Sequence, residues 1–274
     1  MHVDDTLILC GDREVFAVTL DDPVREVWRW RADEASGLPE AIRPRFASTD
    51  DCKPVDGGQT ILVVSSSGAA ALVSRRTGRA TFWGGVWNAH SAECLPGQRL
   101  VVAGSTHPEG NRLVLFDRHQ SGVELFTTPL FGAHGVVWDA TEERLWAMGQ
   151  RELQVYRLAD WEGTAPRLDL LKTWALPDEH GHDLRLLETE RRLLLTTWAS
   201  VWTFDIRTAS FAHFAPLANI RDVKSVDIHP VTGQIVWTQA ETSWWTHRVY
   251  FKQPERMLHF PDEPRLYKVR FNRG

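Results

Sequence analysis

The stretch LCGDREVFAV (Leu9–Val18) decides the fold, because the chain returns to the same pattern in AMGQRELQVY (Ala147–Tyr156). Both stretches run from an apolar pair through a glycine and a polar Arg-Glu turn into alternating residues, a pattern typical of a β-hairpin. Related hairpins begin at six points along the chain: Leu7, Ile61, Leu100, Leu145, Leu193 and Ile235. After the second start, subtraction gives steps of 39, 45, 48 and 42 residues. A repeat of this length built from strands predicts a propeller.

A further short apolar strand follows each hairpin, and another precedes each hairpin except the first. The missing strand is found at the other end of the chain, where RLYKVRF (265–271) follows the last repeat. Pairing this strand with the N-terminal hairpin leaves no open sheet edge between the two ends. Since long helical patterns are nearly absent, the sequence predicts an all-β fold, a six-bladed β-propeller whose C-terminal strand completes the N-terminal blade.

We expect one propeller domain over residues 1–274. The predicted blades cover residues 1–31 plus 265–271, 50–85, 88–129, 133–176, 181–217 and 223–261.

Composition excludes several classes of function. The net charge of -5 provides no basic surface for nucleic acid. The N-terminus is acidic and its apolar run is short, so we expect no signal peptide, no membrane segment and a cytoplasmic location. The three cysteines form no paired framework, which is typical of reduced thiols. The sequence does not indicate an oligomeric state.

One column of the repeat carries titratable residues where apolar ones are expected. In a propeller the first strand of each blade lies nearest the axis. Aligning these strands places six residues in equivalent positions: Asp51, His90, His134, His182, Lys224 and Lys268. Three imidazoles from consecutive blades suit a divalent metal, zinc or manganese. A metal-free ligand site, or a structural belt of hydrogen-bonded histidines, remains open from the same residues.

Further candidates surround this column. Glu93, Lys53, Lys224 and Lys268 are candidate catalytic residues: Glu93 as base, metal ligand or partner of a histidine, and a lysine as base or carboxylate clamp. The candidate substrate-binding residues are Asp51, Asp183, Arg185, Asp227, Glu241, Trp244 and Trp245. The two tryptophans are expected to stack on a sugar ring.

The motifs DCKPVDGG (51–58), NAHSAECLPG (88–97), GAHGVVWD (132–139), GHDLRLL (181–187) and LYKVRF (266–271) together resemble a bacterial six-bladed propeller family catalogued as a domain of unknown function. That resemblance implies the fold and no activity. More distantly, the histidine column looks like that of the oligogalacturonate lyases, larger propellers that hold manganese with histidines and a glutamine. The likeness implies His90, His134 and His182 as ligands, and no matching glutamine is evident.

These observations predict a metal-assisted enzyme acting on an acidic sugar at the axial pocket. A lyase would use the metal to stabilise charge as the α-proton leaves, and a hydrolase would use metal-bound water with Glu93 as base. Two alternatives require no catalysis: a propeller that binds a sugar or small anion, and a scaffold for protein interactions.

Overall fold

The protein is described by a computed structural model that covers residues 6–260 and 264–272. Regular structure in these ranges is 24 β-strands and two short 3-10 helices, Arg43–Phe46 and Ala215–Leu217. In chain order the strands are β1 (Thr6–Gly11), β2 (Glu14–Thr19), β3 (Glu26–Arg31), β4 (Thr49–Val55), β5 (Thr60–Ser65), β6 (Ala69–Ser74), β7 (Ala80–Gly85), β8 (Ala89–Leu95), β9 (Arg99–Gly104), β10 (Arg112–Asp117), β11 (Glu124–Pro129), β12 (Gly135–Asp139), β13 (Arg144–Met148), β14 (Glu152–Ala159), β15 (Arg167–Ala175), β16 (Asp183–Leu187), β17 (Arg192–Thr196), β18 (Val201–Asp205), β19 (Ser210–His213), β20 (Val223–Ile228), β21 (Ile235–Gln239), β22 (Arg248–Lys252), β23 (Arg256–His259) and β24 (Leu266–Phe271).

The strands form six four-stranded sheets, and the fold is a six-bladed β-propeller, as the repeat predicts. Five blades use consecutive strands: β4–β7, β8–β11, β12–β15, β16–β19 and β20–β23. The sixth has the order β24-β1-β2-β3, with Lys268 opposite Cys10 and Val269 opposite Leu9 in antiparallel register. The prediction that the C-terminal strand completes the N-terminal blade is therefore confirmed.

The blades fall into two compact units. Unit 1 comprises residues 1–85 and 224–274, and unit 2 comprises residues 86–223. Within each unit, apolar side chains of neighbouring blades pack into shared clusters. Strands such as β5 and β9 are apolar on both faces because both faces of a blade are covered, whereas the outermost strand β3 is largely exposed.

The titratable column lies at the start of the innermost strands. Asp51, His90, Lys224 and Lys268 lie inside β4, β8, β20 and β24, while His134 and His182 directly precede β12 and β16. The histidines belong to unit 2, and the aspartate and lysines to unit 1. Neither 3-10 helix in the described ranges is long and apolar enough to cross a membrane.

Candidate functional site

The three predicted metal ligands lie in contact in unit 2, and we call them the histidine cluster. The rings of His90 and His134 are stacked, with centroids 3.9 Å apart and planes inclined by 14°. The His182 ring meets His134 edge-on at 5.2 Å. Equivalent positions in consecutive blades therefore bring these three side chains together, at the starts of neighbouring innermost strands.

The stacking of the rings bears on the metal prediction. Each ring nitrogen directs its lone pair within its own ring plane, and zinc needs such nitrogens at about 2.0–2.1 Å. Lone pairs of two nearly parallel, stacked rings lie in separate planes and do not converge on one ion. Among residues 6–260 and 264–272, no group of three or more His, Cys, Asp or Glu residues could hold a metal ion. As placed, the histidine cluster does not fit a zinc or manganese centre, and the metal stays a prediction.

A small polar cavity adjoins the cluster. Its volume is about 70 Å³, and its lining residues are Ser105, Thr106, Gly132, His134, Gln150, His180, Gly181 and His182. This space is large enough to hold ordered water. The Ser105 hydroxyl lies 3.2 Å from Nδ1 of His134, which fixes the orientation of that ring.

The sequence analysis missed Gln150, whose Nε2 lies 3.5 Å from Nδ1 of His180 in the cavity wall. A signal for it existed in the repeat. Gln150 stands in the turn GQRE at the position that Asp12 holds in the turn GDRE of the first hairpin. Both turns lie at the same end of their blades, so the two residues are structural equivalents.

The predicted catalytic residues are mostly buried. Glu93 in unit 2 is half-buried, and its Oε1 accepts a hydrogen bond from the backbone N–H of Cys94 at 3.1 Å. In unit 1, Lys53, Lys224 and Lys268 are 3%, 7% and 0% exposed. Their role as bases or clamps stays a prediction.

Asp51, a predicted substrate-binding residue, is part of a buried ion network. Its carboxylate accepts a hydrogen bond from Nη2 of Arg270 at 2.9 Å and lies 3.5 Å from Nζ of Lys268. All three side chains are at most 1% exposed. The single Asp51 carboxylate thus offsets part of the charge of two buried cations inside unit 1.

Two other predicted substrate-binding aspartates are also buried. Asp227 accepts hydrogen bonds from the backbone N–H groups of Ile228 and Phe271, both at 3.0 Å. Asp183 is 1% exposed at the start of β16. Arg185, on the same strand, is half-buried. The carboxylate of Asp227 thus joins β20 to β24.

A sizeable cavity lies in unit 1, and we call it the Trp245 cavity. Its volume is about 650 Å³, and its lining residues are Asp12, Arg13, Glu14, Arg31, Asp33, Ala47, Trp245, His247, Pro264 and Arg265. A neighbouring cavity of about 230 Å³ shares Arg13, Asp33 and Ala47 with it. The two cavities are therefore adjacent parts of one cleft.

The turn that carries Trp245 is held by Glu241. The Glu241 carboxylate accepts hydrogen bonds from Arg248 Nη1 at 2.7 Å, from the Tyr250 hydroxyl at 2.6 Å and from the Thr246 hydroxyl. Burial alone would raise the pKa of Glu241, but these hydrogen bonds outweigh it and lower that pKa. Glu241 thus stabilises the turn that carries Trp245. Trp244, its neighbour, is 37% exposed and meets the Tyr267 ring edge-on.

Most charges in the Trp245 cavity are paired. Arg265 contacts Asp12 at 2.6 Å, and Nε of Arg31 donates to Glu14 at 2.8 Å. Arg13 makes no ion pair within the described part of the chain, and it is exposed. It is therefore a cation available to a ligand.

His247 also lines this cleft. Nδ1 of His247 is buried and makes no hydrogen bond to the residues that the structure describes. Its ring meets Trp245 edge-on, with centroids 4.9 Å apart.

A family model described as a family of unknown function, DUF6528, matches residues 6–273. The chain belongs to the DUF6528 family. This membership confirms the predicted relationship to an uncharacterised family and assigns no activity to the DUF6528 protein.

Comparison with solved structures shows the fold alone. The crystal structure of the WD40 β-propeller domain of Doa1 is similar to the DUF6528 chain with a TM-score of 0.59 and 10% sequence identity. The match covers 85% of the DUF6528 chain and 71% of the other. The comparison with curated proteins found no match.

Proposed function

We propose that this DUF6528 protein is a carbohydrate-binding propeller, and that its ligand is a sugar bearing a carboxylate, bound in the Trp245 cavity. The observation that carries the proposal is the combination in one cleft of an aromatic wall, an unpaired arginine and a volume of about 650 Å³. Small-molecule sites typically have volumes of about 300–1,000 Å³ and a few convergent polar groups.

The aromatic wall supplies the apolar contact. The C–H face of a sugar ring is apolar, and an indole ring offers it a flat surface with little loss of conformational entropy. Trp245 lines the cavity and is half-buried, with the Arg265 guanidinium 5.8 Å from its ring centroid. Because Glu241 holds the turn, the indole is placed before a ligand arrives, which limits the ordering cost of binding.

The polar groups of the cleft orient the ligand. Arg13 is the cation for the ligand carboxylate, since arginine forms two parallel hydrogen bonds to such a group. Asp33 lines the same wall, makes no ion pair within the described ranges, and can accept hydrogen bonds from sugar hydroxyls. The paired residues Asp12 and Arg265 form a rigid rim.

The adjacent smaller cavity supports an oligomeric ligand. It adds about 230 Å³ beside Arg13 and is lined in part by Phe46 and Pro44. A second sugar ring would lie there, with Arg13 between the two sugar rings. We therefore propose a short acidic oligosaccharide rather than a single sugar.

The metal-assisted lyase or hydrolase predicted from the sequence lacks this kind of support. The cavity beside the histidine cluster has a volume of about 70 Å³, against about 650 Å³ for the Trp245 cavity, and the rings of the cluster do not converge on one ion.

The test is calorimetric titration with a short oligogalacturonate and a neutral cello-oligosaccharide of the same length. Trp245→Ala should weaken oligogalacturonate binding about tenfold, equivalent to about 1.4 kcal/mol. Arg13→Ala should weaken binding of the acidic ligand and leave binding of the neutral one unchanged. Trp198→Ala, which removes a 50% exposed tryptophan from unit 2, is the matched control. Unchanged affinity in Trp245→Ala would contradict the proposal.

A further inference from the structure

We propose a second binding site, in unit 2, for a segment of a partner protein that carries acidic side chains next to leucine-like ones. The site is a groove of about 510 Å³, which we call the Trp146 groove. It involves none of the residues of the Trp245 cavity, so this proposal does not depend on the proposed carbohydrate function.

The groove is formed by two neighbouring blades. Trp146 and Val155 come from β13 and β14 of one blade, while Ile206 and Arg207 follow β18 of the next. Trp146 packs on Phe204 of that next blade, with ring centroids 5.7 Å apart. The base of the groove is thus a packed, rigid surface.

A β-bulge places an apolar side chain on its wall. Val155 pairs with Lys172 and Tyr156 pairs with Leu170, so Leu171 has no opposite residue on β14. A bulge of this kind redirects the extra side chain. Leu171 lines the groove and is 47% exposed, and it offers an apolar contact to an incoming group.

The base of the groove contains a hydrogen-bond donor without an acceptor. Trp146 is 4% exposed, and its indole Nε1 is buried and makes no hydrogen bond within residues 6–260 and 264–272. Leaving such a donor unsatisfied is unfavourable.

The charge of the groove selects an anionic partner. Three arginines and one carboxylate line it, and Arg191 is neutralised by Asp139 at 2.8 Å and Glu142 at 3.1 Å. Arg144 and Arg207 make no ion pair in the part of the chain that the structure describes. These two cations therefore remain available to a partner.

The arrangement favours a peptide segment. The two available arginines come from different blades, and Leu171 and Ile206 provide apolar contacts in the same groove. A ligand that engages all of them needs more than one anionic group with an aliphatic group between. An extended segment with Asp, Leu and Asp at every second residue provides this, because residues i, i+2 and i+4 point to the same side of a strand.

The experiment uses the whole chain and fluorescein-labelled peptides, followed by anisotropy. One set contains Asp and Leu at every second residue, separated by Ser and in different orders. A second set has Asn in place of Asp, and a third has Gly in place of Leu. We expect the Asp–Leu set to bind and the other two to bind at least tenfold more weakly. Binding should also weaken as the salt concentration rises.

Variants locate the site. Arg207→Glu and Leu171→Ser should each reduce binding of the Asp–Leu set at least tenfold, whereas Arg151→Glu, at an exposed arginine that does not line the groove, should not. In a ¹H–¹⁵N spectrum, the indole signal that is missing in Trp146→Phe should shift when the peptide is added.

Three results would overturn the proposal: no binding by any Asp–Leu peptide, equal binding by the Asn set, or equal loss in Arg151→Glu. Binding of decanoate at the Trp146 indole without peptide binding would assign the groove to a small amphipathic carboxylate instead.

Discussion

Asp50 offers a sharp test of the electrostatics inside unit 1. Its carboxyl is 2% exposed and accepts a hydrogen bond from the backbone N–H of Ser66. Burial raises the pKa of Asp50 from 3.8 to about 7; the Ser66 hydrogen bond and nearby Lys268 oppose this rise, while neighbouring Asp51 adds to it. The folded chain thus holds this proton more tightly than the unfolded chain.

The direction and size of the effect follow from linkage. The stabilisation from this proton is fully present below pH 3.8 and is lost as the pH rises through about 7. Between pH 5 and pH 8 the free energy of unfolding should therefore fall by about 2.5 kcal/mol on account of Asp50. Asp50→Asn removes the titrating group and keeps an oxygen that can accept the Ser66 hydrogen bond.

The assay is urea unfolding followed by tryptophan fluorescence at a series of pH values. The difference in unfolding free energy between Asp50→Asn and the wild type should grow by about 2.5 kcal/mol, in favour of the variant, from pH 5 to pH 8. Asp21→Asn, at a carboxylate that is 66% exposed, is the control and should follow the wild type. Parallel curves for the wild type and Asp50→Asn would refute a raised pKa.

Three further predictions concern ion pairs and metal. In the same urea assay, Arg270→Met should lower the unfolding free energy by about 3 kcal/mol or more, because it leaves Asp51 buried without its closest cation. The control is Arg25→Met, at an ion pair with Asp21 whose side chains are 67% and 66% exposed, and it should cost less than about 1 kcal/mol. Arg191→Met should cost about 3 kcal/mol of unfolding free energy near neutral pH. Burial alone would raise the pKa of Asp139, but the hydrogen bonds of Arg191 outweigh burial and lower that pKa. The loss of stability should therefore shrink as the pH falls below 3.8, and a loss that stays constant with pH would contradict this assignment. Metal analysis of protein purified without a histidine tag should find far less than one equivalent of zinc or manganese, and near-stoichiometric metal would support the metal centre predicted from the sequence instead.

The fold could be predicted because a propeller repeats its own pattern. Alternating hairpins at similar spacing identify the blades, and the unpaired first hairpin identifies LYKVRF as its missing strand. The same repeat brings His90, His134 and His182 together, since equivalent positions on innermost strands lie side by side. These are properties of the backbone path, which the spacing of residues determines.

The chemistry of the site could not be predicted in the same way. The orientation of the His90 and His134 rings depends on side-chain packing, which residue spacing does not specify. The burial of Asp51 against Arg270 depends on the pairing of β24, at the far end of the chain.

The Trp245 cavity is assembled from five separate segments, around Arg13, Arg31, Ala47, Trp245 and Arg265. No local motif marks such a surface. Trp245 was accessible to sequence analysis because a tryptophan at a hairpin tip is unusual, whereas His247 and Arg31 gave no signal of their own.

The most direct test of the carbohydrate proposal is a crystal structure of the whole chain soaked with a short oligogalacturonate. We expect sugar density against the Trp245 indole, with a carboxylate at the Arg13 guanidinium. Sugar density at the histidine cluster with the Trp245 cavity empty would contradict it.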